Sequence, residues 1–305
     1  MSLTEAYGKA LLELAEEDDR IVAIDADVGI RMGTKYLREK FPNRYIQVGI
    51  AEQNAVGVAA GLAASGKICF TGTIAVFITG KAWEQLRQSV AYPNLNVKII
   101  GGYSGMATGP DGATHQACED ISIIRSLPNF KILVPCDPLE AEQATRIAYE
   151  TEGPVYIRMV RPALHFILPS DYKMEIGKAV MLHEGQDITI IAYGMTVPIA
   201  LTAASNLKSE GISVRVLNMS TIKPIDKNSI LAAAQETSRI ITVEDHSIIG
   251  GLGSAVSEIV AESGKGKVTR IGIPDTFGES CPYEGLYNKF GLNVENIVKK
   301  VKENL

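Results

Sequence analysis

Short apolar runs alternate with stretches of helical periodicity along the whole chain. Such alternation is typical of α/β proteins, in which helices pack on both faces of a mostly parallel sheet. The apolar runs of the first half predict strands at residues 21–24, 45–49, 68–71, 97–101, 132–134 and 155–159. Those of the second half predict strands at residues 188–192, 213–217, 240–243 and 268–273, followed by a last helix from about residue 294.

The alternation breaks between residues 161 and 171, where Pro162 and Pro169 interrupt both patterns. We interpret this segment as a linker, which predicts two domains, residues 1–165 and residues 166–305. Each is expected to be a doubly wound α/β domain built on a mostly parallel sheet. A length of 305 residues also suits two domains, at about 100–200 residues each.

Two helix starts can be predicted from capping residues. Thr4 precedes the first helical stretch and predicts a helix over residues 5–17. Asp137, Pro138 and Glu140 predict a second start, because an N-cap Asp, a proline at the first helical position and a glutamate at the third form a capping box.

The helix expected after residue 50 is rich in small side chains. Alanine recurs at every fourth position from Ala51 to Ala63, and Gly57 and Gly61 lie alongside. Side chains this small let another backbone come close. They indicate tight packing against the helix's own sheet, a subunit interface, or both.

Composition and charge exclude several function classes. The net charge of −5 argues against a nucleic-acid partner, which needs a basic face. The longest uncharged stretch, residues 68–80, is well below the ~18 residues needed to cross a bilayer. Four cysteines without CxxC spacing and four dispersed histidines predict reduced thiols, a cytoplasmic protein and no local metal site.

Glu52 is the first candidate for chemistry. It lies in the first turn of the expected helix, between apolar residues on both sides. A glutamate there often does no more than complement the helix dipole. Burial disfavours the charged form of a carboxyl group, so a buried Glu52 could instead hold a proton and donate a hydrogen bond at neutral pH.

The second candidate is the loop formed by residues 108–116. Its glycines and proline predict irregular backbone after a strand, with Asp111 and His115 at the carboxyl edge of the sheet. Open α/β sheets bind their ligands at that edge. A histidine in a glycine-rich loop, away from any apolar face, favours a functional role.

Together these two segments resemble the transketolase family. The likeness covers nearly the whole chain. It rests on residues 40–45 leading into 49–53, on residues 111–116, on residues 125–129, and on residues 243–246 and 250–253 of the second half. The combination of an Ala-Glu-Gln glutamate with an Asp-Gly-x-Thr-His-Gln loop is the specific part, and it implies a C-terminal subunit of a split transketolase.

The resemblance implies thiamine diphosphate as the cofactor and assigns residues to it. Glu52 would hydrogen-bond N1′ of the aminopyrimidine and so promote loss of the thiazolium C2 proton. Phe77 would stack on the pyrimidine. Asp27 and Val28 match a segment close to the thiazolium. The protein's share of such chemistry is orientation and electrostatics.

The resemblance also implies ketol transfer in the pentose phosphate pathway, in which a two-carbon glycolaldehyde unit passes from a ketose to an aldose. His115 and Asp111 would contact the sugar hydroxyls near the reacting carbons, which makes His115 a second catalytic candidate. Arg161 would bind the phosphate. Tyr103 stands where the family has a histidine, and a phosphate-binding arginine before the first helix is missing. Phosphate binding is therefore expected to be weaker or rebuilt. The substrate could instead carry another anionic group, or none, or the partner could supply the missing contact.

Part of the cofactor site is missing from this chain. Thiamine enzymes hold the diphosphate through Mg²⁺ with a Gly-Asp-Gly motif and a downstream Asn, and the only similar triplet, at residues 110–112, has no such Asn. We therefore expect an N-terminal transketolase subunit to carry that domain and hold the Mg²⁺ or Ca²⁺. The expected assembly is an α2β2 heterotetramer with no nucleic-acid or membrane partner.

Other interpretations stay open. The chain could be half of another thiamine enzyme, such as a 2-oxoacid dehydrogenase β subunit or a deoxyxylulose-phosphate synthase. The loop at residues 111–116 argues against the former, and the chain length favours split transketolase over the latter. A non-catalytic subunit that stabilises a partner is a further alternative. The glycines of residues 250–253 favour helix–strand packing over a dinucleotide site, and Arg158 is expected to be a surface charge.

Overall fold

The computed structural model describes residues 1–305 and contains twelve strands. In chain order they are β1 Ile21–Asp25, β2 Tyr45–Gln47, β3 Ile68–Ile74, β4 Val97–Gly102, β5 Lys131–Leu133, β6 Val155–Arg158, β7 Val180–His183, β8 Ile188–Ala192, β9 Val214–Asn218, β10 Thr221–Lys223, β11 Arg239–Ser247 and β12 Lys267–Ile273. All ten strands predicted from the sequence are present, with ends shifted by a few residues. The two that were not predicted, β7 and β10, are short edge strands.

Eleven α-helices connect and cover the strands. They are α1 Leu3–Glu17, α2 Lys35–Lys40, α3 Glu52–Ala64, α4 Trp83–Gln85, α5 Asp120–Arg125, α6 Pro138–Glu150, α7 Thr196–Ser209, α8 Lys227–Glu236, α9 Leu252–Ser263, α10 Tyr283–Phe290 and α11 Val294–Asn304. Wider π-helical turns at Phe77–Lys81 and Leu86–Ala91 flank α4. None of the helices combines the length and apolar character needed to span a membrane.

Two sheets organise the chain, and both are mostly parallel, as predicted. The first has the strand order β10-β5-β6-β4-β3-β1-β2, and the second has the order β12-β11-β8-β9-β7. Each carries one antiparallel edge strand, β10 on β5 and β7 on β9. Because β10 comes from the second half of the chain but pairs with the first sheet, backbone hydrogen bonds join the two halves.

Alternating side chains of the buried strands pack into two apolar layers, one on each face of the sheets. Ile21 and Ala23 of β1 face the layer that contains α1 and α6, whereas Val22 and Ile24 face the layer that contains α3. This is the period-two pattern of a strand covered by helices on both faces. Both layers include residues from both halves of the chain, so the apolar core is continuous from one sheet to the other.

The capping predictions had different outcomes. The Asp137 side chain accepts a hydrogen bond from the Glu140 amide at 2.8 Å, which confirms the N-cap of α6. The predicted Thr4 cap is wrong, because α1 begins at Leu3 and the Ser2 hydroxyl accepts the hydrogen bond from the Glu5 amide at 3.1 Å. Both Ser2 and Thr4 are suitable N-cap residues, and the helix that begins at Leu3 is two residues longer than the predicted one.

The small residues of α3 divide between two faces. Ala55, Ala59 and Ala63 are buried against the chain's own core, which confirms the packing interpretation. Gly57 and Gly61 point outward, with open space around the position that a Cβ atom would occupy. The outer face of α3 thus has small residues at Gly57 and Gly61, whereas the exposed residues next to Glu52 are Gln53 and Asn54.

Candidate active site

The carboxyl ends of the first sheet's parallel strands bring the sequence-predicted residues to one edge. Asp27 follows β1, Phe77 follows β3, Tyr103 follows β4 and Arg161 follows β6, while Glu52 opens α3 just beyond β2. Since β1, β2, β3, β4 and β6 pair in parallel, these ends lie along the same rim. This is the rim where open α/β sheets bind ligands.

Glu52 is buried, with only 3% of its surface exposed. Its sole hydrogen bond comes from the Lys81 ammonium, which lies 2.6 Å from Oε2 and leaves Oε1 unengaged. Lys81 ends the π-helical turn that begins at Phe77 and is itself about half exposed. Sequence reasoning missed this lysine, because it lies 29 residues from Glu52 in the chain.

Phe77 and His115 are in direct contact. Their ring centroids lie 5.1 Å apart at an interplanar angle of 79°, an edge-to-face arrangement favoured by aromatic quadrupoles. The Thr114 hydroxyl lies 2.9 Å from Nδ1 of His115. The contact brings the 108–116 loop against the turn that also carries Lys81, so Glu52, Lys81, Phe77 and His115 form one continuous group.

Three of the four predicted substrate residues, Tyr103, Asp111 and Arg161, form a second group beside this loop. Arg161 makes an ion pair of 3.0 Å with Asp111, donates a hydrogen bond of 3.1 Å to the Thr108 carbonyl, and stacks 5.1 Å from the Tyr103 ring centroid. The Arg161 and Asp111 side chains are each about one third exposed. The pair is therefore accessible to a ligand that carries both hydroxyl groups and a negative charge.

Asp27 and Val28 lie in a separate part of the rim, in a cleft of about 430 Å³ shared with Arg38. Asp27 adopts a left-handed conformation with φ 69°, and its amide donates to Gln47 Oε1 at 3.1 Å. The same Gln47 oxygen accepts from the Gly49 amide at 2.9 Å. Gln47 thus fixes the Asp27 turn relative to the start of α3, although no direct contact joins Asp27 to Glu52.

A buried polar network behind the loop corrects the expectation for Arg158. This residue is 1% exposed, and its Nε donates to Asp120 at 2.8 Å. Its guanidinium also donates to the carbonyls of Ala117, at 3.2 Å, and Asp245, at 2.9 Å. Arg158 therefore joins the two halves of the chain from within. A charged residue at the end of a strand gave no sequence signal of this burial, because its partners are distant in sequence.

The glycine-rich turn before α9 has no free anion site. Glu244 is fully buried and accepts hydrogen bonds from the Leu252 and Gly253 amides at 2.7 and 2.8 Å. A Cβ atom on Gly251 would lie 2.1 Å from a Glu244 oxygen. The chain's own Glu244 carboxyl group thus occupies this helix N-terminus, which confirms the packing interpretation.

Burial shifts the titration of this network. It raises the pKa of Glu244 to about 8 and lowers the pKa of His246 to about 4. The His246 Nδ1 donates to the Ser247 carbonyl at 2.7 Å, while Nε2 accepts from the Ser122 amide at 3.4 Å. A neutral imidazole satisfies both bonds. No group of three or more His, Cys, Asp or Glu side chains is arranged to hold a metal ion.

Two family models cover most of the chain. The transketolase pyrimidine-binding domain matches residues 1–165, and the transketolase C-terminal domain matches residues 177–297. The chain belongs to the transketolase family. The resemblance noted from the sequence is thereby confirmed.

Curated relatives of similar length include three transketolase subunits or sections. A putative transketolase C-terminal section from Methanocaldococcus jannaschii is 44% identical over 99% of this chain and 96% of its own length. A 6-deoxy-6-sulfo-D-fructose transketolase subunit from Clostridium sp. is 42% identical over 99% and 94%. An apulose-4-phosphate transketolase subunit from Phocaeicola vulgatus is 40% identical over 98% and 96%.

Other comparisons set the chain against full-length enzymes and solved structures. The transketolase of Rattus norvegicus is 37% identical over 98% of this chain, which spans only 48% of that protein. A solved structure described as a split gene transketolase, inactive beta4 tetramer, superposes with a TM-score of 0.93 at 44% identity, covering 99% of this chain and 98% of that chain. The chain thus matches about half of an undivided transketolase.

Proposed function

We propose that this chain is the C-terminal subunit of a split transketolase that moves a two-carbon ketol unit from a ketose to an aldose. The observation that carries the proposal is a buried carboxylate, Glu52, beside an aromatic ring and a histidine at the ligand-binding rim. A buried carboxylate needs a partner. Lys81 serves one oxygen and leaves the other for a ring nitrogen.

The residues fit the aminopyrimidine half of thiamine diphosphate. Glu52 would hydrogen-bond the pyrimidine ring, Phe77 would pack on its face, and Asp27 with Val28 would lie toward the thiazolium. The cofactor supplies an electron sink for cleaving and forming a carbon–carbon bond. This chain's part is to orient the ring, to hold a proton at Glu52 and to exclude water around it.

The substrate residues suit a sugar with an anionic end. Asp111 and His115 would accept and donate hydrogen bonds to hydroxyl groups near the reacting carbons, with His115 able to move a proton. Arg161 would bind the anion, once its pair with Asp111 opens. Relatives named for a sulfosugar and for a sugar phosphate make both sulfonate and phosphate candidates for that anion.

The remainder of the site would come from a partner. This chain spans about half of an undivided transketolase, and its sequence lacks the Gly-Asp-Gly motif followed by Asn. We infer an N-terminal subunit that binds the diphosphate through Mg²⁺ or Ca²⁺, in an α2β2 heterotetramer. The exposed glycines of α3, Gly57 and Gly61, suit close packing of that partner. Four cysteines without CxxC spacing favour the cytoplasm.

The experiment is Glu52→Gln in the complex with the N-terminal subunit, assayed with phosphorylated and sulfonated ketose donors. We expect activity to fall by about 10²–10⁴-fold, the usual range for a group that handles a proton. Glu39→Gln, an exposed glutamate on α2, is the matched control and should keep full activity. Unchanged activity of Glu52→Gln would favour a bystander subunit instead. Turnover of pyruvate but not of ketoses would favour a synthase.

A further inference from the structure

The loop that carries Asp111 and His115 belongs to the first half of the chain, yet the second half holds it in place. At its start, the Asp245 carboxylate accepts hydrogen bonds from the Met106 amide at 2.8 Å and the Ala107 amide at 3.3 Å. The Tyr287 hydroxyl donates to the same carboxylate at 2.9 Å. Asp245, Met106 and Ala107 are all buried, so solvent does not readily replace this carboxylate as the acceptor for the two amides.

The backbone at this point depends on that carboxylate. Gly105, directly before Met106, has φ 68°, and a Cβ atom there would lie 2.1 Å from an Asp245 oxygen. Tyr103 also has a positive φ, of 51°. Left-handed backbone costs free energy for residues other than glycine and persists where the surroundings impose it. Asp245 packs against the backbone of Gly105 and Met106, where the direction of the chain changes at the start of the loop.

Residues of the second half of the chain also hold the middle and end of the loop. The Gln116 side-chain amide bridges the Gly109 carbonyl, at 3.0 Å, and the Glu279 carbonyl, at 2.9 Å. The Ser280 hydroxyl donates to the Pro110 carbonyl. At the end, the Ala117 carbonyl accepts from the Gly105 amide, which closes the base of the loop.

We propose that Asp245 is a positioning residue for the substrate-binding loop, and that anchoring this loop is a function of the C-terminal half. The proposal rests on the proposed function, because it assumes that Asp111 and His115 contact the sugar. Asp245 touches neither the sugar nor the cofactor. It fixes the backbone five residues before Asp111, and through it the direction in which the Asp111 and His115 side chains leave the loop.

The proposal predicts different effects on sugar turnover and on cofactor binding. Glu52 and Phe77 lie on α3 and on the turn after β3, which Asp245 does not contact. Loss of the anchor should therefore impair sugar binding and turnover much more than the affinity for thiamine diphosphate, because the loop reaches the cofactor residues only through the contact of His115 with Phe77. Loss of a residue that merely stabilises the fold would impair sugar turnover and cofactor affinity to a similar degree.

The test is Asp245→Asn in the complete complex with the N-terminal subunit. The asparagine side chain keeps the size of the carboxyl group, but its single oxygen can accept from only one of the two backbone amides. Its own NH2 group then faces the N–H of the second amide, so that two donors are placed against each other. We expect kcat/KM for ketose and aldose to fall on the order of 10²-fold, the effect of a displacement of about 1 Å in a reacting group. Hydrogen exchange measured by mass spectrometry should rise in residues 103–117. Thiamine diphosphate affinity, measured by calorimetry, should change by less than about tenfold, well below the effect on kcat/KM.

Asp275→Asn, an exposed aspartate in the same half, is the matched control. A loop that exchanges faster while kcat/KM stays as in wild type would overturn the positioning role, as would unchanged exchange. Should the wild-type complex turn over no ketose, the proposed function fails, and faster loop exchange in Asp245→Asn would still support the anchor. Should Asp245→Asn fail to assemble, Tyr287→Phe removes one hydrogen bond to the same carboxylate. Faster exchange of the loop in Tyr287→Phe then supports the anchor, and unchanged exchange overturns it.

Discussion

Replacing Arg158 by methionine tests the buried network that joins the two halves. The guanidinium is fully enclosed, and it donates to the Asp120 carboxylate and to the carbonyls of Ala117 and Asp245. It also lies 5.8 Å from the Tyr193 ring centroid. Methionine fills much of the same volume but donates no hydrogen bond. Asp120 would then remain as a buried charge without its cation.

The size of the effect follows from this burial. Removing one partner of a buried ion pair typically costs about 3–5 kcal/mol, because the other charge is left uncompensated. The Asp245 carbonyl that loses its donor adds to this, at about 1–3 kcal/mol for an unsatisfied buried group. The Ala117 carbonyl keeps its hydrogen bond from the Gly105 amide. Such terms are not additive, since the groups share one side chain. We expect a loss of about 4 kcal/mol, a large part of the stability of a typical protein.

Urea unfolding at fixed protein concentration measures this loss, followed by the fluorescence of Trp83, the single tryptophan, and by circular dichroism. Arg20→Met is the matched control, because Arg20 pairs with Asp18 at the surface and should cost at most about 1 kcal/mol. The double variant with Asp120→Asn should lose clearly less than the sum of the two single variants. A cost for Arg158→Met as small as that of Arg20→Met would refute the reasoning.

Two further changes probe the charges described here. Lys81→Met should destabilise the isolated chain by about 1–2 kcal/mol, a value between those of surface and buried ion pairs, because Lys81 is half exposed. Thermal unfolding measures this loss, with Lys9→Met as the control because its pair with Glu5 is exposed. Equal losses in the two variants would contradict the prediction. Because burial lowers the pKa of His246 to about 4, the unfolded chain binds the extra proton below its ordinary pKa of 6.5. The contribution of His246 to stability should therefore fall as pH drops from 6.5 through 4, by up to about 3 kcal/mol, while buried Glu244 contributes the opposite slope between pH 8 and 4.5. In pH-dependent urea unfolding, the difference in stability between wild type and His246→Gln should change by that amount over the window. A difference that does not depend on pH would contradict the prediction.

The features that could be predicted from the sequence are those set by near neighbours in the chain. Asp137, Pro138 and Glu140 lie within one helical turn, so their capping role follows from spacing alone. The buried strands follow from continuous apolar runs. The rim position of the candidate site follows from the rule that parallel strands share one carboxyl edge.

The features that were missed depend on contacts between distant segments. β10 has three residues, too few for a periodic pattern, and is defined by its pairing with β5. Lys81 is 29 residues from Glu52, and Asp245 is 139 residues from Met106. A lysine or an aspartate in isolation signals a solvated surface. Only the folded chain shows that these charges have buried partners.

Calorimetric titration of thiamine diphosphate tests the central claim most directly, with Mg²⁺ present and with this chain alone, the N-terminal subunit alone, and the two mixed. We predict one cofactor per pair of subunits in the mixture and no saturable binding to this chain alone, with Glu52→Gln weakening the binding of the mixture. Stoichiometric binding by this chain alone, or an affinity of the mixture that does not depend on Glu52, would contradict a shared site built around that buried carboxylate.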